Sequence, residues 1–556
     1  MRAFPPITPS GPPQVVWFKR DLRVEDHAAL AHASAAGPVL CVYAVELEHW
    51  HQPCISDRQW QFVRECLLSL DAQLKSLGTA LEVHVAPVIQ MLDVLYQRLG
   101  TFTLHSHQET GGLWTYARDR AVAAWCRDHG VRWHEYPQNG VVRPVSRRGR
   151  RFKEHWDAWA VAPLERLPSH LVWLEPASDQ TVLLLPTAIK TDPLPCAGRQ
   201  RGGLQPARDL LDSFLDSRGQ GYGANMSSPI SAEHGCSRLS PHIAQGSISL
   251  RQIAQTTLEV REAAPRTHWH RQLHSYVTRL WWHCYALQVL ENQPEMERQA
   301  LVPEMEQLPR PMDPARFDAW RLGRTGWPMV DACMRFLHHH GWLNFRMRAM
   351  LVTVATHTLS LPWRPVADWL AQMFVDFEPG IHYTQIQMHS SMAASPVLRL
   401  YNPVTQAREL DPQGHFVRCW VPELAAVPDE WIAMPWAMPA TLRHRFGLVG
   451  AADYPAPLVD FEQVHRCVKA EIAALSDRMV ALGQGQRIDL LPVPPAALAP
   501  EVFPQRNWLL VTSGTLTAAR KKQIACWRQQ VSALDVISLS SGDISPDATA
   551  DTSQRD

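Results

Sequence analysis

The chain has no net charge to speak of: 54 Lys and Arg balance 54 Asp and Glu over 556 residues. A polyanion partner cannot be argued from such a balance and would need a local basic patch. No two of the 11 cysteines are spaced Cys-x-x-Cys, and their number is odd. That speaks against a disulfide framework or a zinc ribbon and for a reducing cytosol, so a cytoplasmic protein without a metal site is expected. No run of 18 apolar residues occurs, and Met1 to Pro13 is proline-rich without an apolar segment. Neither a membrane span nor a signal peptide is expected. No internal repeat is visible. What the chain has in excess is tryptophan, 22 residues. A buried indole N–H needs a partner, so most of these residues fill the core, while the excess raises the case for stacking on planar ligands or for redox use. With 46% hydrophobic and 19% charged residues, the chain can bury a sizeable core, and its length implies two or three domains.

Residues 14–140 alternate short apolar runs with amphipathic stretches. Gln14–Phe18, Val39–Val45, Leu81–Ala86, Phe102–His105 and Val131–Tyr136 read as strands, with helices over Asp57–Leu77 and Thr115–His129. Alternation of this kind predicts a parallel five-stranded, Rossmann-like sheet covered on both faces. Residues 141–215 open with a basic cluster (Arg143, Arg147, Arg148, Arg150, Arg151, Lys153) and become rich in Pro and Leu; they read as an interdomain connection. From 216 to 490 the spacing turns helical, over Leu250–Val260, Arg271–Glu291, Met329–His339, Phe345–Thr358 and Val366–Phe374, so an all-α domain is expected. Residues 491–556 read as a Pro-rich linker and a largely disordered tail.

Three stretches carry chemistry. Gly235-Cys236-Ser237-Arg238-Leu239-Ser240-Pro241 sets small and hydroxyl residues around one Arg before a helical run. Such a segment can capture phosphate, although an ordinary helix N-cap with a surface Arg accounts for it as well. In Gly341-Trp342-Leu343-Asn344-Phe345-Arg346-Met347-Arg348 the two arginines point to different sides of a helix and need separate partners. Asp376-Phe377-Glu378-Pro379-Gly380 offers carboxylates after an apolar helix, either as partners for those arginines or as solvated acids at a helix end.

Taken in order, these stretches resemble the photolyase/cryptochrome family. Val15-Val16-Trp17-Phe18-Lys19-Arg20-Asp21-Leu22-Arg23 with Asp26 is similar to its opening strand and loop, and Gly235–Ser240 to its FAD diphosphate loop. Thr325-Gly326-Trp327-Pro328 with Asp331-Ala332 and Met334-Arg335, then Gly341–Arg348, Tyr401-Asn402-Pro403 and Trp420-Val421-Pro422-Glu423-Leu424 also match. The resemblance implies FAD held in the helical domain. Tyr222, Ser237, Leu239 and Ser240 would hold the diphosphate side with Arg238 beside them, and Trp342 would pack near the flavin. Arg348 and Asp376, with Phe377 and Glu378, would border its ring, and His382 stands nearest to the position facing flavin N5.

The resemblance further implies blue-light repair of pyrimidine dimers in DNA, or photoreception through a signalling partner. For repair, Trp282 sits at the base-stacking position and Arg346 at the pocket mouth, where it and the basic cluster would hold phosphates. Arg279 replaces an acidic lesion contact. Of the usual three-tryptophan relay only Trp363 remains, with Arg310 at the outer position and Thr384 or Tyr383 at the inner one, depending on a one-residue gap. His107-Gln108-Glu109-Thr110 resembles the region that binds a second, antenna chromophore, with Trp114 as an atypical neighbour.

Overall fold

Strands β1 (Gln14–Phe18), β2 (Val39–Ala44), β3 (Glu82–His84), β4 (Thr103–His107) and β5 (Arg132–Tyr136) form one parallel sheet in the order β3-β2-β1-β4-β5. Every residue of β1 and β2 is buried, as expected for parallel strands covered by helices on both faces. Val15, Trp17, Leu40, Val42, Met91, Leu95, Leu104 and Val122 share one core cluster. The strand order reverses between β1 and β4. A crevice therefore opens beyond their C-terminal ends, where doubly wound sheets bind ligands. The computed structural model describes residues 11–143, 152–168, 171–189, 192, 194–264, 268–308, 310–393, 400–448, 450, 453–481, 507–511 and 534–538.

The five strands fall where the sequence pattern puts them, with no end shifted by more than two residues. Two crossover helices, Ala28–Ala36 and Val88–Leu99, had not been read from the sequence. The first is AALAHASAA, apolar on nearly every side, so it carries no amphipathic stripe to read. The stretch 141–215 is also more than a connection. Helices Phe152–Val161 and Leu204–Asp216 lie in it. Their Trp156, Ala160, Ala207, Leu211, Phe214 and Leu215 join Tyr222, Leu273 and Tyr276 in one core.

The helical half contains Leu250–Ala263, His268–Asn292, Pro328–His340, Phe345–Thr353, Trp363–Met373 and Pro379–His389. Helix 345–353 continues into a π turn at Val354–Thr358. The long helix 268–292 lies along helix 379–389. Gly380 permits this approach: a Cβ there would stand 2.9 Å from the Leu287 Cα and 3.0 Å from the Ala286 carbonyl oxygen.

A second unit comprises Ala300–Pro309, Ser391–Arg399 and Glu462–Asp556. Within it β6 (Asn507–Val511) and β7 (Leu534–Ser538) pair in parallel, Asn507 against Leu534 through Val511 against Ser538. The reading of 491–556 as linker and disordered tail is corrected to that extent. NWLLV and LDVIS are short aliphatic runs of the kind that strands use, lost in polar surroundings. Residues 491–504 and 540–556 lie outside the described residues. Among the described residues no helix is long and apolar enough to cross a membrane.

Candidate functional site

The chain leaves helix 363–373 through Phe374 and Val375 and enters helix 379–389 at Pro379. The short turn and loop between them carries Asp376, Phe377 and Glu378. Arg348 grips Asp376 with both ends of its guanidinium fork, Nη1 to Oδ1 at 3.1 Å and Nη2 to Oδ2 at 2.8 Å. Its Nε donates to the Leu343 carbonyl at 2.6 Å, and its plane lies over the Phe374 ring at 3.9 Å. Three hydrogen bonds and one stacked face hold the fork in one orientation. Ser240 Oγ donates to Asp376 Oδ2 at 2.7 Å. The glycine- and serine-rich loop and the acidic segment, 136 residues apart, therefore meet at one carboxylate.

Arg238 adopts φ +61°, uncommon for a residue with a side chain. This turn sends its guanidinium over the Trp342 ring at 4.1 Å, with Gln200 Oε1 at 3.2 Å and Glu233 at 3.5 Å. Leu239 and Tyr222 are buried, and Tyr222 meets Phe214 and Tyr276 edge-on, both at 5.6 Å. Ser237 precedes Arg238 on the same loop.

Glu378 meets a residue that sequence reasoning did not assign. His283 Nε2 lies 2.7 Å from Glu378 Oε2, and both side chains are nearly sealed from solvent. Burial opposes a charged imidazole, but the adjacent carboxylate outweighs it and carries His283 up to about 10. Burial likewise raises Glu378, and the His283 charge and hydrogen bond turn the net shift downward. The pair is ionic at neutral pH. The signal was within reach, since His283 directly follows Trp282. His382 behaves oppositely: burial pulls it down to about 4, so it is neutral, and its Nε2 pairs with the Ala367 carbonyl at 2.9 Å.

The other expected residues scatter. Trp282 stands edge-on to Trp281 at 5.0 Å and Tyr285 at 5.5 Å, with its indole N–H buried and unpartnered among the described residues. Trp363 opens helix 363–373, buried, with Arg364 over its ring at 4.9 Å. Arg346 is engaged by helix 403–410, Nε to Gln406 at 2.7 Å and Nη2 to Glu409 at 2.8 Å, so a phosphate there has to displace Glu409. Arg143 pairs with Glu291 at 2.6 Å and donates to the Glu109 carbonyl at 2.6 Å, and Lys153 pairs with Asp157 at 2.6 Å. Arg143 thus serves a largely buried contact, whereas the Lys153–Asp157 pair lies on the surface. Arg147, Arg148, Arg150 and Arg151 lie outside the described residues.

The crevice at the strand ends holds a cavity of about 80 Å³, lined in part by Lys19, Arg20, Tyr43, Glu46, Glu109, Trp114 and Arg118. Arg118 pairs with Glu109 at 2.6 Å, Asp119 at 2.8 Å and Glu46 at 3.3 Å, and lies over Trp17 at 4.8 Å and Trp114 at 5.6 Å. Nearby, Asp21, His27 and His107 bring ligand atoms within 4.8 Å of one another. His27 Nδ1 accepts from Leu30 N–H at 3.0 Å, and its Nε2 lies 3.0 Å from Asp21 Oδ2. His107 Nδ1 lies 2.7 Å from the same oxygen. Two imidazoles held neutral by burial serve one ionised carboxylate.

The residues of the helical site fit FAD. A buried Arg with two serines suits a diphosphate, and the Arg348–Asp376 couple offers donors and an acceptor that suit a flavin edge. Comparison with known proteins agrees. Residues 276–474 match the family model for the FAD binding domain of DNA photolyase, and 14–159 that for DNA photolyase. Residues 477–534 match the C-terminal domain of the transcriptional regulator MlrA. Cryptochrome-2 of Arabidopsis thaliana is 27% identical over 504 residues, 84% of this chain and 80% of that protein. The deoxyribodipyrimidine photo-lyase of Vibrio cholerae is 27% identical over 475 residues, 81% and 97%. The class III photolyase of Agrobacterium tumefaciens superposes with TM-score 0.70 at 25% identity, covering 84% of this chain and 98% of that one. The cryptochrome of Synechocystis sp. PCC6803 shares the fold with TM-score 0.73 at 21% identity, over 83% and 99%.

Proposed function

The chain belongs to the photolyase/cryptochrome family, and from that premise we propose that it is a blue-light-dependent FAD flavoprotein that repairs pyrimidine dimers in DNA. The observation that carries this reading is the Asp376 carboxylate clasped by Arg348 and Ser240, which assembles a flavin-edge site from three distant segments. Bound FAD supplies light absorption and an electron for splitting the dimer. The chain's own residues do the rest. Arg238, Ser237 and Ser240 hold the diphosphate, with Tyr222 and Leu239 packed behind them. Arg348 and Asp376 orient the ring, Phe377 and Trp342 exclude water, and neutral His382 offers a ring nitrogen near N5. Trp282 presents an aromatic face to an extruded base, the stacking that such recognition requires. The protein is read as cytoplasmic, with UV-damaged DNA as its partner.

A photoreceptor without repair activity is the second reading, and one observation favours it: the match of 477–534 to a domain of a transcriptional regulator, an appended segment suited to meeting a signalling partner. Reduced protein mixed with a thymine-dimer oligonucleotide and lit with blue light separates the two. Repair predicts loss of dimer with each light dose. Unchanged dimer beside clean flavin photoreduction supports the photoreceptor and overturns repair. A second, antenna chromophore is proposed only as a ligand of the strand-end crevice, where it would have to open the Arg118 ion cluster.

A further inference from the structure

The segment Asp376–Glu378 is held at both ends by side chains already described. Its middle is held by a residue from the other domain. Arg20, in the loop after β1, donates from Nη2 to the Phe377 carbonyl at 2.8 Å and from Nε to the Ala244 carbonyl at 2.9 Å. Ala244 ends the short helix that begins with Ser240. One planar fork thus ties together the two segments whose side chains meet at Asp376. The ring of contacts is closed: Arg20 to Ala244, along the helix to Ser240, Ser240 Oγ to Asp376, one residue on to Phe377, and back to Arg20. The Arg20 carbonyl is held in turn by the Gln138 amide, and a Cβ on Gly246 would fall 2.3 Å from the same oxygen, so the loop has little room to shift.

We propose that Arg20 is a positioning residue for the flavin site, setting the Asp376 and Glu378 carboxylates through the Phe377 carbonyl. This rests on the reading of the helical site as a flavin site. The geometry favours it over a general role in joining the domains. Arg20 spends both donors of one guanidinium edge on the two segments that carry flavin-site side chains. Ser56, which also crosses the domain boundary, donates to the Gln372 carbonyl at 2.6 Å and touches neither segment. The charge of Arg20 also acts on Glu378 and helps hold that carboxyl below its usual range. Loss of the guanidinium therefore loosens Asp376 and weakens the hold on Glu378 together. Lysine keeps the charge but not the fork, since an ammonium is a point donor without the planar pair of N–H groups.

The test uses the full chain with four proteins: wild type, Arg20→Met, Arg20→Lys and Ser56→Ala as the boundary control. FAD affinity is measured by fluorescence titration, and the flavin absorption band and midpoint potential are recorded on the loaded forms. Arg20→Met is expected to weaken FAD binding at least tenfold and to shift the band and the potential, Arg20→Lys to recover part of each, and Ser56→Ala to match wild type. If Arg20→Met binds FAD with wild-type affinity, band and potential, the assignment is overturned. It is equally overturned if Ser56→Ala loses as much as Arg20→Met, because the effect then belongs to the domain boundary. Should Arg20→Met not fold, Arg20→Lys decides alone: an unchanged band and affinity sink the proposal, and a shifted band in a normally folded protein supports it. A wild-type chain that takes up no FAD defeats the flavin reading itself, and this inference with it.

Discussion

At the residue scale the site is a set of charges whose burial is repaid by close partners. His283 and Glu378 are the clearest case, because removing either strands the other in a low-dielectric interior. The folded chain holds the His283 proton more tightly than the unfolded chain does, with an ordinary value near 6.5 and a folded value of about 10. The stabilisation from this pair is therefore complete below about 6.5 and is lost as pH rises through about 10. The Glu378 contribution has the opposite sign: it is present above the usual carboxylate range and lost as pH falls through its depressed value. Denaturant unfolding of wild type and His283→Gln from pH 7 to 11 should show the gap between them shrinking toward the alkaline end. A constant gap would mean that the two groups do not share a charge-dependent contact. Asp21 makes the complementary point. Its charge is held by His107 at 2.7 Å, while His27 beside it spends Nδ1 on capping a helix.

At the element scale the Asp376–Glu378 segment depends on how closely helices 268–292 and 379–389 approach. The contact is made by Gly380 against the backbone of Leu287 and Ala286. Alanine in place of helical glycine gains up to about 1 kcal/mol of intrinsic propensity. Here the added methyl meets a Cα and a carbonyl oxygen as well as the end of the Leu287 side chain, and overpacking against fixed backbone costs roughly 1–3 kcal/mol. Gly380→Ala should therefore lower the denaturant midpoint, with bound FAD lost earlier than global structure. A midpoint equal to or above wild type would show that the helix pair can spread without cost. The same pair explains an incomplete reading of the sequence. Helix 268–292 is HWHRQLHSYVTRLWWHCYALQVLEN, easily recognised as helical, but nothing in its own spacing says that His283 faces Glu378 ninety-five residues later.

At the scale of the whole molecule, the α/β domain and the helical domain meet through polar caps. Side chains at the start of helix 57–76 donate to the last carbonyls of helix 363–373 and the residue after it: Ser56 Oγ to Gln372, Gln59 Nε2 to Ala371 at 2.7 Å and Phe374 at 2.9 Å, and Arg58 Nη1 to Met373 at 3.4 Å. Arg58 also pairs with Asp192 at 2.7 Å and donates to Leu194 at 2.8 Å, with its side chain 1% exposed. Orphan carbonyls at a helix end need such donors, so the boundary is satisfied only when both domains are folded. Arg58→Met leaves several buried acceptors bare and should cost about 3 kcal/mol. Calorimetry should then show one transition moved to lower temperature. Two separated transitions in wild type would mean that the domains do not depend on each other.

Periodicity in the sequence was enough to determine the classes of element: apolar runs at strand length alternating with helices, then a long helical region. Short motifs, through their resemblance to one family, were enough to put Arg348, Asp376, Arg238 and Ser240 forward together, and the structure joins Arg348 and Ser240 at the Asp376 carboxylate. The partners of those residues were decided only by the tertiary structure. Ser240 reaches Asp376 across 136 positions and Arg20 reaches Phe377 across 357. Arg346, which looked available, is taken up by Glu409. The physical reason is that hydrogen bonds and ion pairs act over about 3 Å, and which distant groups come that close depends on how helices and sheet pack, a property that no local spacing encodes.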